Sequence, residues 1–319
     1  RKELKKPLIV LTGPTAVGKT ALSIALAKRV GAEIISADSM QVYKYMDIGS
    51  AKITPSQMQG VPHYLVDTLL PEEEFHVVRF QEMARQAMED IYSRGKIPLL
   101  VGGTGFYIQA VTRDIDFTEG RENPAYRKEL EELSAKELHE MLMEVDPVSA
   151  SEIHANNKKR VIRALEFYRE NHRPISLHNQ EQKEKESPYN LAYFVLNAPR
   201  PLLYERIDQR VDQMMEEGLL EEVKKLKEMG YHKGMVSMQG LGYKELLAYL
   251  EGETSLEEAV RIIKRDTRHF AKRQLTWFRR EPEVIWVEKE DFGYQEEKIL
   301  EFMDEILQKK GITHKGACK

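Results

Sequence analysis

Short runs of apolar residues alternate with longer segments in which apolar residues recur every three to four positions. Residues 8–11 form the first run, and residues 20–30 then show the spacing of a helix that packs one face. Further apolar runs predict strands at residues 32–35, 97–101, 193–196 and 284–287. Strands that are apolar throughout are typical of a parallel sheet covered by helices on both faces, so the pattern predicts an α/β fold.

Between residues 116 and 188 the apolar runs stop, and the sequence becomes helical in pattern and rich in charge. Segments 126–133 and 136–145 show helical spacing, and Pro124, Pro147 and Pro174 punctuate the region. We therefore predict an all-helical subdomain over residues 116–188, inserted into a catalytic core of residues 1–115 and 189–319. The charged run 180–187 is predicted as a solvated return, and residues 202–250 and 255–279 as mostly helical.

A glycine-rich loop joins the first predicted strand to the first predicted helix. It matches the pattern G-x-x-x-x-G-K-[ST], and its residues are Gly13, Pro14, Thr15, Ala16, Val17, Gly18, Lys19 and Thr20. Backbone N–H groups of such a loop bind phosphate oxygens, the lysine adds a positive charge, and the Thr20 hydroxyl can bind Mg²⁺. The loop therefore predicts a P-loop core that binds a diphosphate or polyphosphate.

The identity of the phosphate ligand needs a second signal. ATP-driven motors and switches hold their metal with an acid that follows a long apolar strand. The candidates for such an acid in this sequence are poor. That points to a kinase-like or other group-transfer enzyme.

An acidic residue, Asp38, follows the second predicted strand, within the polar loop 36–43. Doubly wound folds place an acid beside their ligand at about this position. A loop aspartate can equally be a helix cap, so its position alone leaves both interpretations open. The polar residues around Asp38 favour a functional role.

Charge is unevenly distributed, although the net charge is only −4. Residues 119–152 carry ten acidic and four basic side chains, whereas residues 261–280 carry eight basic and one acidic. Five cations share one helix face: Arg261, Arg265, Arg268, Lys272 and Arg279. The opposite face repeats Ile263, Phe270 and Trp277, which we expect to pack in the core. The segment contains few acids that could neutralise these charges. A surface that binds the phosphates of a nucleic acid therefore explains the cationic face better than a surface that only faces solvent.

Composition narrows the class further. The single cysteine, Cys318, excludes an internal disulfide and a cysteine-based zinc cluster. No run approaches the roughly 18 apolar residues that span a membrane. The apolar residues that follow the short basic start belong to the first strand, so we expect a cytoplasmic protein without a membrane partner. We also expect a monomer.

Seven segments carry a resemblance to a known family. They are GPTAVGKT (13–20), SADSMQVY (36–43), DIGSAK (47–52), GGTGFY (102–107), RVIRALE (160–166), GLGYKE (240–245) and AKRQLTWF (271–278). In this order they resemble the bacterial tRNA dimethylallyltransferase family, also called tRNA isopentenyltransferases. The phosphate loop alone is generic, but six further segments in family order make the resemblance specific over nearly the whole chain.

Members of this family transfer a dimethylallyl group from dimethylallyl diphosphate to N6 of the adenosine 3′-adjacent to the anticodon, in tRNAs reading UNN codons. They need Mg²⁺ and release diphosphate. The resemblance implies that Asp38 is the general base, that Thr15–Thr20 bind diphosphate, and that Arg210 contacts it as well. It implies catalytic roles for Asp38, Thr15, Lys19 and Arg210, and a metal contact at Thr20. Thr104 and Arg127 match tRNA-contacting positions of the family, and the two basic regions add further cations. The full set of expected contacts to the tRNA anticodon stem-loop is Asp38, Ser39, Met40, Gln41, Thr104, Arg127, Lys159, Arg160, Arg163, Lys272, Arg273 and Gln274.

Elementary chemistry agrees with these roles. An adenine amino group is a weak nucleophile, so a carboxylate within hydrogen-bond reach of it assists the transfer. A base stacked in the anticodon loop must be flipped out to reach an enclosed channel. The alternatives are a prenyltransferase acting on free adenine nucleotide, a small-molecule kinase with a P-loop, and a non-catalytic RNA-binding module. The inserted subdomain and two basic regions, 158–163 and 261–280, favour tRNA because a free nucleotide needs neither.

Overall fold

A computed structural model describes residues 4–117 and 123–314 of the chain. Its sheet consists of β1 (Pro7–Thr12), β2 (Ala32–Ser36), β3 (His63–Tyr64), β4 (Ile97–Val101), β5 (Asn190–Asn197) and β6 (Val284–Glu288). The strand order is β3-β2-β4-β1-β5-β6, and every pairing is parallel. The predicted α/β class with a parallel sheet is therefore confirmed. The single cysteine, Cys318, lies outside the described residues.

The helices of the described residues surround this sheet or form a separate group. They are α1 (Lys19–Val30), α2 (Val77–Ser93), α3 (Gly105–Thr112), α4 (Pro124–Glu131), α5 (Ala135–Val145), α6 (Pro147–Glu152), α7 (Lys158–Asn171), α8 (Ile175–Glu184), α9 (Arg200–Glu217), α10 (Leu219–Glu228), α11 (Tyr243–Leu250), α12 (Leu256–Arg279) and α13 (Glu296–Lys309). None of the helices in the described ranges is long and apolar enough to cross a membrane.

Alternating residues of β1 point to two apolar clusters, one on each face of the sheet. Leu8 and Val10 belong to a cluster that includes side chains of α2, α3, α10, α11 and α12. Ile9 and Leu11 belong to a second cluster, with side chains of α1 and α13. Because both faces of the central strand are buried, β1 is apolar throughout, which is the pattern visible in the sequence.

The chain divides into two compact units, with boundaries at Thr112/Arg113 and Ser187/Pro188. The second unit contains α4–α8 and has its own apolar cluster around Leu138, Leu142 and Val161. The run 180–187 is not wholly an irregular return, because α8 continues to Glu184. Its glutamine, glutamate and lysine residues are good helix formers, and α8 buries none of its residues, so this helix depends on propensity more than on burial.

One glycine separates two helices that matter for the site. Gly218 ends α9 and precedes α10. Its φ of 107° is a left-handed backbone conformation that residues other than glycine rarely adopt. Its N–H donates to the Met215 carbonyl. This sharp break lets α9 and α10 present different residues, Arg210 and Glu222, to the loops at the end of the sheet.

Candidate active site

Three loops that follow neighbouring strands meet at the carboxyl edge of the sheet. They are the phosphate loop after β1, the loop containing Asp38 after β2, and the loop that begins at Gly102 after β4. The Ala37 N–H donates to the Val101 carbonyl at 2.7 Å, and the Thr12 hydroxyl donates to the Gly102 carbonyl at 2.5 Å. These bonds join the ends of the three strands, so segments distant in sequence form one site.

The phosphate loop closes around its own lysine. The Lys19 ammonium donates to the carbonyls of Gly13 at 2.7 Å and Pro14 at 3.1 Å. Gly18 has a φ of 100°, which only glycine adopts readily, and it leads directly into α1. The loop thus places the positive end of the helix and the lysine at the same point, which is an arrangement for binding an anion.

Lys289, for which the sequence predicted no role, contacts this loop from outside. Its ammonium donates to the Val17 carbonyl at 3.1 Å. In a trans peptide the C=O and the next N–H point in opposite directions, so this bond turns the Gly18 N–H away from Lys289. Burial and the nearby Arg206 guanidinium lower the pKa of Lys289. Nothing local in the sequence marked this residue, because it approaches the loop only through the parallel pairing of β6 with β5.

Asp38 is held in a defined orientation but keeps one oxygen available. Its Oδ1 accepts the N–H groups of Met40 at 2.7 Å and Gln41 at 3.1 Å. Its other oxygen, Oδ2, has no hydrogen-bond partner within residues 4–117 and 123–314. No α-helix follows Asp38 directly, so the helix-cap interpretation does not apply. The carboxylate is fixed by two backbone donors and has one oxygen left for a ligand.

Asp38, Lys19 and Arg210 form one electrostatic group. Burial raises the pKa of Asp38, against the opposing effect of its two N–H donors and of the Lys19 and Arg210 charges. Burial, and secondarily Arg210, lower the pKa of Lys19 to about 7, although Asp38 opposes this. Burial in the cleft also lowers the pKa of Arg210, again opposed by Asp38. An anionic ligand would relieve the mutual repulsion of the two cations and favour their charged forms.

Gln274 connects the phosphate loop to the loop after β4. Its side-chain oxygen accepts the Thr15 N–H at 2.9 Å, and its amide nitrogen donates to the Gly103 carbonyl at 3.0 Å. It is buried on α12. A β-carbon at Gly103 would come within 2.3 Å of the Gln274 amide, so a glycine is needed there for space. The structure thus places Gln274 within the site, and the Thr15 N–H is already occupied by it.

The remaining predicted contacts in the core surround Asp38. Ser39, Met40 and Gln41 follow it in the same loop, and all three are half-buried. The Thr104 N–H donates to the Ala37 carbonyl at 3.4 Å, which places this threonine next to the Asp38 loop. The structure therefore brings these four predicted residues together at the edge that also carries Asp38.

The cationic face of α12 is more neutralised than its sequence suggested. Three of its arginines are in ion pairs: Arg261 with Glu258 at 2.6 Å, Arg265 with Asp266 at 3.1 Å, and Arg268 with Asp208 at 2.6 Å. The expectation that few acids neutralise this face was therefore wrong for these three arginines. Asp208 belongs to α9, which packs against α12 and supplies an acid that the sequence of α12 alone does not reveal.

The cations near the carboxyl end of α12 have no such partners. Lys272, Arg273, Arg279 and Arg280 are exposed, and none has a carboxylate within 4.0 Å in the described part of the chain. On the opposite face Ile263 is buried, while Phe270 and Trp277 are half-buried. The uncompensated charge therefore lies near Gln274 rather than along the whole helix.

The predicted contacts of the inserted unit lie on α4 and α7. Arg127 donates twice to the Glu166 carboxylate, with both distances 2.9 Å. Lys159, Arg160 and Arg163 are exposed at the beginning of α7, and the described residues offer them no carboxylate within 4.0 Å. This unit thus carries a cationic surface of its own.

The Thr20 hydroxyl is the phosphate-loop group that could contact a hydrated Mg²⁺. Thr20 lines a small cavity of about 40 Å³, together with Ser36, Gln41 and His63. No cluster of three histidine, cysteine or acidic side chains capable of holding a metal occurs in residues 4–117 and 123–314. Mg²⁺ commonly keeps several waters and binds through substrate phosphates, so one hydroxyl from the protein is compatible with it.

A parallel α/β sheet with a phosphate loop at its carboxyl edge and an acid beside that loop defines a P-loop enzyme of the group-transfer class. Comparison with known sequences gives the family. The sequence model described as IPP transferase matches residues 41–281. The chain belongs to the IPP transferase family.

Relatives of known name agree with this assignment. A tRNA dimethylallyltransferase of Lachnoclostridium phytofermentans is 61% identical over 311 residues, covering 96% of this chain and 99% of that protein. A tRNA dimethylallyltransferase of Carboxydothermus hydrogenoformans is 48% identical over 316 residues, covering 98% of this chain and 99% of the relative. The similarity therefore extends over nearly the full length on both sides.

Solved structures show the same fold. A full-length tRNA isopentenylpyrophosphate transferase of Bacillus halodurans has a TM-score of 0.74 and 45% identity, covering 96% of this chain and 98% of its own. A eukaryotic dimethylallyltransferase acting on tRNA has a TM-score of 0.80 and 32% identity, covering 89% of this chain and 74% of its own.

Proposed function

We propose that this protein transfers a dimethylallyl group from dimethylallyl diphosphate to N6 of the adenosine 3′-adjacent to the anticodon, in tRNAs reading UNN codons. The second product is diphosphate. The observation that carries the proposal is the available Oδ2 of Asp38, beside Lys19 and Arg210 at the phosphate loop. A base and an anion-binding group in one cleft suit the removal of a proton from an amine while an allylic diphosphate departs.

Asp38 acts on the nucleophile. Its Oδ1 is held by the Met40 and Gln41 N–H groups, and Oδ2 accepts the proton of the N6 amino group as the new N–C bond forms. Burial raises the pKa of Asp38 and thereby makes its carboxylate more basic than an exposed one. The proton leaves the amine with Asp38, and the electron pair of the breaking C–O bond leaves with diphosphate.

Lys19, Arg210 and the phosphate-loop N–H groups act on the leaving group. Negative charge accumulates on diphosphate as the allylic carbon–oxygen bond breaks, and fixed positive groups stabilise it without reorganising. Thr20 would bind Mg²⁺ together with diphosphate oxygens, and the ion would supply further charge neutralisation. The ATP-like pattern of the loop then reflects a shared phosphate geometry rather than ATP as the substrate.

Two cationic surfaces suit the anticodon stem-loop. One is formed by Lys272, Arg273 and the neighbouring arginines at the end of α12. The other is on the inserted unit and includes Lys159, Arg160 and Arg163. Exposed cations without acidic partners are the side chains that exchange counterions for RNA phosphates. We propose that residues 116–188 form the tRNA-contacting subdomain, and that the protein acts as a cytoplasmic monomer.

The test is to incubate the protein with labelled dimethylallyl diphosphate, Mg²⁺, and either tRNA or AMP. Label in tRNA supports the proposal. Label in AMP alone would favour the free-nucleotide alternative. In a parallel incubation with ATP, consumption of ATP without a tRNA product would indicate a kinase.

A further inference from the structure

Two of the family-like segments, 47–52 and 240–245, have no part in the site described above. The structure brings both of them to one carboxylate, that of Glu222 on α10. Glu222 is half-buried and lies outside all seven segments. Its position is reached only because Gly218 separates α10 from α9.

Glu222 binds the backbone of the first segment. Its Oε1 accepts the N–H groups of Asp47 and Ile48, both at 2.9 Å, and its Oε2 accepts the Gly49 N–H at 3.2 Å. From the second segment, the hydroxyl of the buried Tyr243 donates to Oε2 at 2.8 Å. A carboxylate that accepts four donors forms charge-assisted bonds, which are about twice as strong as neutral ones.

The turn that Glu222 binds, residues 47–51, also binds the side chain of Gln41. The Gln41 side-chain nitrogen donates to the carbonyls of Ser50 at 3.2 Å and Ala51 at 3.3 Å. The Gln41 backbone N–H is one of the two donors that orient Oδ1 of Asp38. Hydrogen bonds, together with the backbone of residues 47–51, therefore connect Glu222 through Gln41 to Asp38.

The two segments are also closely packed, against each other and against the Asp38 loop. A β-carbon at Gly49 would come within 2.6 Å of the Tyr243 ring, and one at Gly240 within 2.4 Å of the Met40 methyl group. Met40 supplies the other N–H that binds Asp38. Through Gln41 and Met40, both segments thus contact the loop that carries Asp38.

We infer that Glu222 is a positioning residue for the transfer reaction: by binding the 47–49 turn and Tyr243, it fixes the loop that aims Asp38. This inference rests on the proposed role of Asp38. The diphosphate site at Lys19 and Arg210 is not part of this hydrogen-bond set. Removing the Glu222 carboxylate should therefore lower kcat more than it weakens the binding of dimethylallyl diphosphate.

The first test compares Glu222→Ala with Glu221→Ala. Glu221 is the exposed neighbour on the same helix and bonds to none of these groups. A misplacement of about 1 Å can cost about 100-fold in rate, so we expect kcat of Glu222→Ala to fall about 10- to 100-fold. KM for dimethylallyl diphosphate should stay near the wild-type value. Glu222→Gln keeps one acceptor oxygen and should recover part of the rate.

A double variant separates positioning from general destabilisation. If Glu222 acts through Asp38, adding Glu222→Ala to Asp38→Asn should cause little further loss of kcat, since groups acting as a unit are non-additive. Losses that simply multiply, or a Glu222→Ala variant with wild-type kcat, would overturn the inference. With either result, transfer to tRNA by the wild-type protein would still support the proposed function.

Amide hydrogen exchange supplies a measurement that does not depend on activity. In the folded Glu222→Ala protein the amides of residues 40–51 should exchange faster, because their ordering is lost, whereas those in Glu221→Ala should not. Unchanged exchange in this segment would contradict the inference whatever the transferase assay shows.

Discussion

Lys19 provides a prediction that depends directly on the electrostatics of the cleft. Its pKa is lowered to about 7 by burial and by Arg210. If Lys19 binds diphosphate as proposed, its charged ammonium form is the one that contributes to affinity. With a pKa near 7, the protonated fraction falls from about 0.9 at pH 6 to about 0.1 at pH 8, so affinity should fall about tenfold, which corresponds to about 1.4 kcal/mol.

The sign of the accompanying stability change is fixed by the same shift. The pKa of Lys19 in the folded protein is about 7, below its ordinary value of 10.5. Between these values the unfolded chain binds more protons, so the contribution of Lys19 to the free energy of unfolding rises with pH. Bound diphosphate raises the pKa and removes this dependence.

The assay is competitive inhibition by inorganic diphosphate against dimethylallyl diphosphate, at saturating tRNA and fixed Mg²⁺. The phosphates of the inhibitor titrate in the same range, so each inhibition constant is compared with that of Lys19→Arg, whose guanidinium stays charged. The ratio of variant to wild-type affinity should rise about tenfold from pH 6 to pH 8. A ratio that stays flat across this range would show that Lys19 does not titrate between pH 6 and pH 8.

Three further predictions concern the base, the RNA surface and the loop connection. Asp38→Asn should lower kcat about 100- to 10,000-fold while tRNA binding measured by filter retention is kept, and a comparable loss of binding would count against its role as a base. Lys272→Gln and Arg279→Gln should each weaken tRNA binding and reduce the slope of log affinity against log salt by about 1, whereas Arg268→Gln, already paired with Asp208, should change it less. Gln274→Met removes two hydrogen bonds and should raise KM for dimethylallyl diphosphate about 10- to 30-fold; an unchanged KM would show that the bridge to Thr15 is dispensable.

Features set by local pattern were predictable from the sequence. β1, β2, β4, β5 and β6 were found within three residues of their predicted limits, because a strand buried on both faces is apolar throughout. Asp38 and the phosphate loop were expected to lie at the same edge, because ligands of such folds bind at the carboxyl ends of the parallel strands. The strand β3 was missed, since His63–Tyr64 is too short to show a periodicity.

Features set by tertiary contacts could not be predicted in this way. Arg210 was selected by family resemblance alone, since nothing in the pattern of α9 distinguishes it from the other arginines. The pairing of Arg268 with Asp208 depends on how α9 packs against α12. Glu222 and Lys289 act on backbone groups far from them in sequence, and a single glutamate or lysine on a charged helix or strand end carries no local signal of that role.

Mapping the modified nucleoside shows whether the protein prenylates tRNA at the proposed position. A tRNA transcript that reads a UNN codon is incubated with the protein, dimethylallyl diphosphate and Mg²⁺, then digested and analysed by mass spectrometry. We expect one dimethylallyl group on N6 of the adenosine 3′-adjacent to the anticodon, and none when that adenosine is replaced by guanosine. A dimethylallyl group at another position, or an unmodified tRNA alongside prenylated AMP, would contradict it.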